Sequence, residues 1–115
     1  MLNVCILVGN LGEDPNLHYS SSGEPVCNFN MAFQASKKKT GWIRVVCFSR
    51  LSEICETYLH RGARVAVTGL LDMQTWQGED GNKRTSFQLI ASNIEFVKTD
   101  KRGVEEDQGE DGTPF

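Results

Sequence analysis

The sequence contains little of what catalytic and metal sites are built from. It has only two histidines, His18 and His60, which lie 42 positions apart, and its four cysteines include no C-x-x-C pair. It also lacks a glycine-rich phosphate-binding motif and any recognisable nucleophile–base pair. We therefore expect no catalytic residue, no metal and no cofactor, which argues against an enzyme.

Apolar residues never form a run long enough to cross a membrane. The N-terminal stretch 1–10 has no basic leader, so it predicts no signal peptide. The chain of 115 residues has the size of one domain with a single hydrophobic core. Each cysteine has apolar neighbours, which indicates buried free thiols in a reducing compartment, the cytoplasm. These cysteines are Cys5, Cys27, Cys47 and Cys55.

An excess of basic charge is missing from the chain as a whole, whose formal net charge is -3. The charge is unevenly distributed, however. Residues 103–115 contain five acidic residues and no basic one, which leaves ten acidic and twelve basic residues, a net of +2, in residues 1–102. The sequence therefore predicts a mildly basic body followed by an acidic tail.

The most informative stretch is residues 41–50, whose alternation is typical of a β-strand. One face is apolar and suits a core; it comprises Ile43, Val45 and Cys47. The other face has Arg44 between Trp42 and Phe48, and these two rings lie roughly 20 Å apart at ~3.3 Å per residue. Aromatic rings stack on unpaired bases of any sequence while cations follow the phosphates, so this face suits a single nucleic-acid strand. A second core layer over the rings, with Arg44 at its edge, is the alternative.

A short basic loop is predicted at residues 36–41, immediately before this strand. It contains three consecutive lysines, Lys37, Lys38 and Lys39. Because the loop brings positive charge to the start of the aromatic face, it favours a polyanionic ligand. A loop that is merely solvated is the alternative.

The remaining pattern predicts further strands at 2–11, 26–35, 63–76 and 85–97, the last in two pieces, 85–90 and 94–97, with a short extended segment at 17–19. Apolar residues at helical spacing predict one helix over 50–61, capped by Ser49 and ended by Gly62. This order predicts an all-β, five-stranded OB-fold barrel over residues 1–99, with one helix between strands 3 and 4 and a long hairpin between strands 4 and 5. Residues 100–115 are predicted to form a disordered acidic tail.

Several short motifs carry a resemblance to a known family. They are Val-Gly-Asn-Leu-Gly-Glu-Asp-Pro at 8–15, and the stretches 19–23, 42–48, 58–62, 69–71, and Trp76 followed by Asp80 and Gly81. In the order and spacing of these motifs the chain resembles the bacterial single-stranded-DNA-binding proteins over about residues 1–97. The resemblance implies an OB-fold homotetramer that wraps single-stranded DNA in replication, recombination and repair.

The resemblance also implies roles for individual residues. The stacking aromatics of the family match Trp42, Phe48 and Trp76. Its basic contacts match Arg44, Arg50, Arg61 and Arg84. For Trp76 the alternative is a hairpin residue packed on its neighbour, and for Arg50 and Arg61 a solvated or helix-capping cation.

The chain departs from the family pattern in four places. A further stacking tryptophan is replaced by the lysine loop, and the usually basic strand that enters the hairpin contains Asp72. Both changes predict weaker binding or a smaller footprint. Ile43 stands where a histidine associated with subunit contacts is common, and the long Gly/Gln/Pro-rich linker is almost absent.

The C-terminus ends Glu-Asp-Gly-Thr-Pro-Phe, similar to the acids and Ile-Pro-Phe that end the family's proteins. A terminal aromatic residue behind acids can enter an apolar pocket with a basic rim. The resemblance implies that Asp111, Pro114 and Phe115 bind replication and repair proteins; a solubilising tail is the alternative. For the whole chain, the alternative is an OB-fold scaffold of the primosome type that binds DNA weakly and forms a dimer.

Overall fold

Alternating apolar residues organise residues 1–98, the part of the chain that the computed structural model describes, into six strands and one helix. The elements are β1 (Cys5–Leu11), β2 (Asn16–Tyr19), β3 (Pro25–Ser36), β4 (Lys39–Phe48), α1 (Ser49–Tyr58), β5 (Arg64–Gln77) and β6 (Lys83–Lys98). The acidic tail predicted for residues 100–115 lies outside the described residues.

The strands form one sheet in the order β1-β5-β6-β4-β3-β2, and an additional β1–β3 pairing closes it. All neighbours pair antiparallel except β4 and β6, which are parallel. The predicted β-barrel, with its helix before the long hairpin, is confirmed. The count rises to six because the segment predicted as merely extended at 17–19 pairs with the start of β3.

The core lies inside this closed sheet and beneath α1. Val45 and Cys47 of β4 are fully buried, as their alternation predicts, while Ile43 packs against the core and is partly exposed. The other core side chains come from every strand except β2 and from the helix region; they include Leu11, Cys27, Phe29, Met31, Cys55, Leu59, Val65, Val67 and Leu89. Burial of the inner face of β4 leaves its other face outside the barrel.

The helix differs from the prediction at both ends. It begins at Ser49, whose backbone is left-handed at a φ of 54°, and it has no side-chain cap. The Ser49 hydroxyl instead donates to Oε1 of Glu24 at 3.0 Å. The helix ends at Tyr58 because Leu59 is extended and buries its side chain in the core. The predicted helix end at 61 was therefore wrong by three residues.

The long hairpin is formed by β5 and β6, whose pairing runs from Arg64 to Gln77 on one strand. The two predicted pieces of the last strand are one strand with a bulge at Ser92. Its hydroxyl donates to the carbonyl oxygen of Thr68 at 3.1 Å. One extra residue in one strand reverses the alternation beyond it, which explains why the sequence pattern predicted a break there.

Three cysteine thiols lie in the core as predicted: Cys27, Cys47 and Cys55 are buried and free, and Cys5 is partly buried. The sulfur atoms of Cys47 and Cys55 are 3.5 Å apart. Among residues 1–98 there is no group of three or more side chains suited to a metal ion. No helix within the same range is long and apolar enough to span a membrane.

Candidate functional site

The outer face of β4 exposes three of the four side chains that the alternation assigns to it. Trp42 is 61% exposed and Phe48 is 47% exposed, and Arg44 lies between them, also exposed. The alternative of a second core layer over the two rings was therefore wrong. The fourth side chain, Val46, is buried.

Strand register extends this face across the barrel. Arg44 lies opposite Asn30 of β3 and Gln88 of β6, and Gln88 lies opposite Asp72 of β5. Paired residues on adjacent strands project from the same side of a sheet. We call these four side chains, Asn30, Arg44, Gln88 and Asp72, the central row. It is polar throughout and has the exposed ring of Trp42 beside it.

A third aromatic residue lies on the same side, further along the hairpin. Trp76, 48% exposed, is four residues beyond Asp72 and pairs with Arg84. The guanidinium Nη2 of Arg84 is 3.0 Å from Oδ2 of Asp80. A hydrogen bond from the backbone N–H of Asn82, with further help from Arg84, lowers the pKa of Asp80 below its ordinary value. Arg84 is thus already engaged with an acid at the hairpin tip.

The backbone at Gly12 lies against the ring of Trp42. Gly12, in the connection between β1 and β2, donates its N–H to the carbonyl oxygen of Asn30 at 2.9 Å. A Cβ atom placed on Gly12 would lie 2.5 Å from Cζ3 of Trp42, closer than real Cβ contacts allow. The absence of a side chain at Gly12 therefore determines where the indole can lie.

Arg61 and Arg50 lie near opposite ends of α1. The backbone N–H of Arg61 donates to Oδ1 of Asp14 at 2.8 Å, which ties its turn to the β1–β2 connection that supports Trp42. Arg50 is exposed in the first turn of α1, two residues after Phe48. Neither side chain forms an ion pair within residues 1–98, and the same is true of Arg44.

The lysine loop is shorter than predicted. Lys37 and Lys38 form the turn between β3 and β4, and Lys39 already pairs with Ser36. The side-chain amide of Gln34 donates to the carbonyl oxygens of Ser36 and Lys37 at 2.6 and 3.2 Å, which holds the turn in shape. All three lysines are exposed, so the turn extends positive charge from the Trp42 end of β4.

Sequence reasoning missed two features of this surface. Gly12 was recognised only as part of a motif. Its proximity to Trp42 was not predicted, because the two residues are 30 positions apart in the chain. The approach of Gln88 to Asp72 was missed because it depends on hairpin register, although the alternation of β5 could have indicated that Asp72 and Trp76 share a side. The tail residues Asp111, Pro114 and Phe115 lie outside the described residues.

The family profile of the "Single-strand binding protein family" matches residues 2–97. The chain belongs to the single-strand binding protein family. Two relatives illustrate its place in that family. A "Single-stranded DNA-binding protein" of Neisseria meningitidis serogroup A is 33% identical over 104 residues, which cover 84% of this chain and 60% of the relative. One from Caldanaerobacter subterraneus is 35% identical over 104 residues, covering 85% of this chain and 69% of the relative. The match thus spans about 60% of the length of the Neisseria protein.

Proposed function

We propose that this chain is a non-catalytic protein that binds and coats single-stranded DNA in the bacterial cytoplasm, on the nucleoid. The observation that carries the proposal is the outer face of β4, where two exposed rings flank Arg44, a cation without an acidic partner in residues 1–98. A protein interior would bury such rings, and an ordinary surface would not line them up along one strand. The relatives from Neisseria and Caldanaerobacter are named as single-stranded DNA-binding proteins, which supports the same ligand.

The physical basis of binding is stacking together with phosphate neutralisation. Bases stack on Trp42, Phe48 and Trp76 and gain ~1–3 kcal/mol each, whatever the sequence. A cation without an ion pair can bind a phosphate without giving up another partner. Arg44, at the centre of the face, has no ion pair within residues 1–98. Around the face, Arg50, Arg61, Arg84 and the lysines 37–39 add charge.

The proposal includes a homotetramer. Val4, immediately before β1, and Ile6 within it are 60% and 63% exposed, while Cys5 and Leu7 of β1 pack against the core. Neighbouring apolar side chains left in water favour association, and a second copy of the chain would cover them.

The proposal also assigns the C-terminal tail to partner binding. Asp111, Pro114 and Phe115 would bind replication, recombination and repair proteins, the acids contacting a basic rim and Phe115 an apolar pocket. Removal of residues 112–115 is expected to abolish capture of such partners and to leave DNA binding by the body intact.

The decisive experiment titrates the full chain with oligo-dT while tryptophan fluorescence is recorded at low and high salt. We expect quenching, and an affinity that falls as salt rises. Trp42→Ala should weaken binding about 5- to 150-fold, the equivalent of ~1–3 kcal/mol. Phe87→Ala is the matched control, because Phe87 is an exposed ring of the same hairpin on the side away from Trp76.

Two results would contradict the proposal. Unchanged fluorescence at micromolar DNA in low salt would exclude binding by the rings. A dimer in sedimentation, combined with weak DNA binding, would favour the primosome-type scaffold instead.

A further inference from the structure

Asp72 is an acid on a surface otherwise suited to a polyanion. It lies in the central row, opposite Gln88, on the side of the hairpin that carries Trp76. A strand that touches both Phe48 and Trp76 must cross the central row, because Phe48 lies four residues to one side of Arg44 and Trp76 lies four residues to the other side of Asp72. Asp72 is only partly exposed, so it belongs to the floor of this surface and does not project freely into water.

Two side-chain amides hold the Asp72 carboxylate in place. Its Oδ2 accepts a hydrogen bond from Nε2 of Gln74 at 2.7 Å and another from Nε2 of Gln88 at 3.2 Å. The other oxygen, Oδ1, has no hydrogen-bond partner among residues 1–98. A carboxylate has only acceptor sites, so Asp72 offers a fixed, unused acceptor to whatever lies above it.

A hydrogen-bond acceptor on the protein can distinguish between nucleobases, because their edges carry different groups. Cytosine carries an N4 amino group, which donates, whereas thymine carries O4 at the same ring position, which accepts. The carboxylate attracts the first and repels the second. Stacking on Trp42 and Trp76 cannot make this distinction, because every base has a π-face.

We propose that Asp72, positioned by Gln74 and Gln88, gives this surface a preference for bases with an exocyclic amino group, cytosine over thymine. The inference rests on the proposed function and adds a base preference to binding that otherwise accepts any sequence. It differs from simple repulsion of the DNA backbone by Asp72, which would weaken binding to all strands equally.

The test compares Kd values of the full chain for oligo-dC and oligo-dT of equal length at one salt concentration. The readout is the ratio of the Kd for oligo-dT to that for oligo-dC. Asp72→Asn keeps the shape but turns a donor toward the base, so this ratio should fall about fivefold, the lower end for one base-edge pair. Asp72→Ser, which removes the carboxylate without replacing it by an amide, should lower the ratio in the same direction.

Glu79→Gln is the matched control. Glu79 is an exposed acid at the tip of the same hairpin, and its removal changes the net charge equally. It should raise both affinities slightly and leave the ratio unchanged. An unchanged ratio in both Asp72 variants, with both affinities raised, would overturn the inference and leave DNA binding itself intact. Failure of the unmodified chain to bind either oligonucleotide would instead overturn the proposed function.

Discussion

The indole of Trp42 lies against the backbone of Gly12, so closely that a Cβ on Gly12 would be 2.5 Å from Cζ3 and 2.9 Å from Cη2 of the ring. An exposed tryptophan on a strand usually has several positions open to it. Here the connection after β1 closes off one side of the ring, so the ring is already oriented before any ligand arrives. Orientation in advance reduces the entropy lost when a base stacks on it.

The substitution Gly12→Ala should therefore weaken DNA binding through the ring of Trp42, with no need for Gly12 itself to contact DNA. The added methyl group forces the indole to move, and we expect a loss of about fivefold or more in oligo-dT affinity, equivalent to ~1 kcal/mol of stacking. A fluorescence titration measures it. In a Trp42→Ala background the same substitution should have no further effect, and an equal loss there would show that the effect does not pass through the ring.

Arg44 and Arg84 should differ in their importance for binding. Arg84 must share or give up its contact with Asp80 to reach a phosphate, whereas Arg44 has no acidic partner among residues 1–98. Arg44→Ala should thus lower affinity more than Arg84→Ala and reduce the slope of log affinity against log salt by about 1. Asp80→Asn, which releases Arg84, should raise affinity. Equal losses for the two arginine variants would contradict this ranking.

The buried thiols should make the protein less stable at high pH. Burial raises the pKa of Cys27 to about 12, and a hydrogen bond with Cys55 together with burial raises the pKa of Cys47. The unfolded chain loses these protons near pH 9, while the folded chain keeps them. The free energy of unfolding should therefore fall as pH rises from about 9 to 12.

Urea unfolding as a function of pH measures this effect. The control is Cys27→Ala, whose unfolding free energy should fall less steeply over the same interval because one of the responsible thiols is gone. Identical slopes for the two proteins would exclude Cys27 as a source of the pH dependence.

Ser49 should be a site where glycine is better tolerated than alanine. Its left-handed backbone, at a φ of 54°, costs roughly 1–2 kcal/mol for a residue with a Cβ. Both substitutions remove the hydroxyl that donates to Glu24. In chemical denaturation, the unfolding free energy of the Ser49→Gly variant should consequently be about 1 kcal/mol higher than that of Ser49→Ala. Equal stabilities would mean that the backbone relaxes at no cost.

Much of the fold follows from local pattern, and β4 shows why. Its period of two separates Val45 and Cys47 from Trp42 and Phe48, and burial in the structure divides them in the same way. Ser92 shows where such reasoning fails, because a bulge is a property of two strands together and leaves only an interrupted alternation in one of them.

The candidate site divides in the same manner. Residue types on one strand could be assigned to its outer face from alternation alone. The engagement of Arg84 by Asp80 and the contact of Trp42 with Gly12 depend on turn geometry and on residues distant in the chain. Ser49 was predicted as a helix cap from its residue type, but its hydroxyl donates a hydrogen bond to Glu24, 25 positions earlier in the chain.

The parallel pairing of β4 with β6 has a consequence for how the protein is made. Arg44 pairs with Gln88, 44 positions later, and β6 lies in the middle of the sheet although it is the last strand of the described chain. A chain is synthesised from its N-terminus onward, so β3 and β4 are complete long before β6 has been made. Until about residue 90 has been synthesised, Arg44 has a neighbour on one side only and the surface from Trp42 to Trp76 does not exist. A fragment that stops before β6 would therefore carry the rings of β4 on an open sheet edge, where they promote aggregation and offer no binding surface.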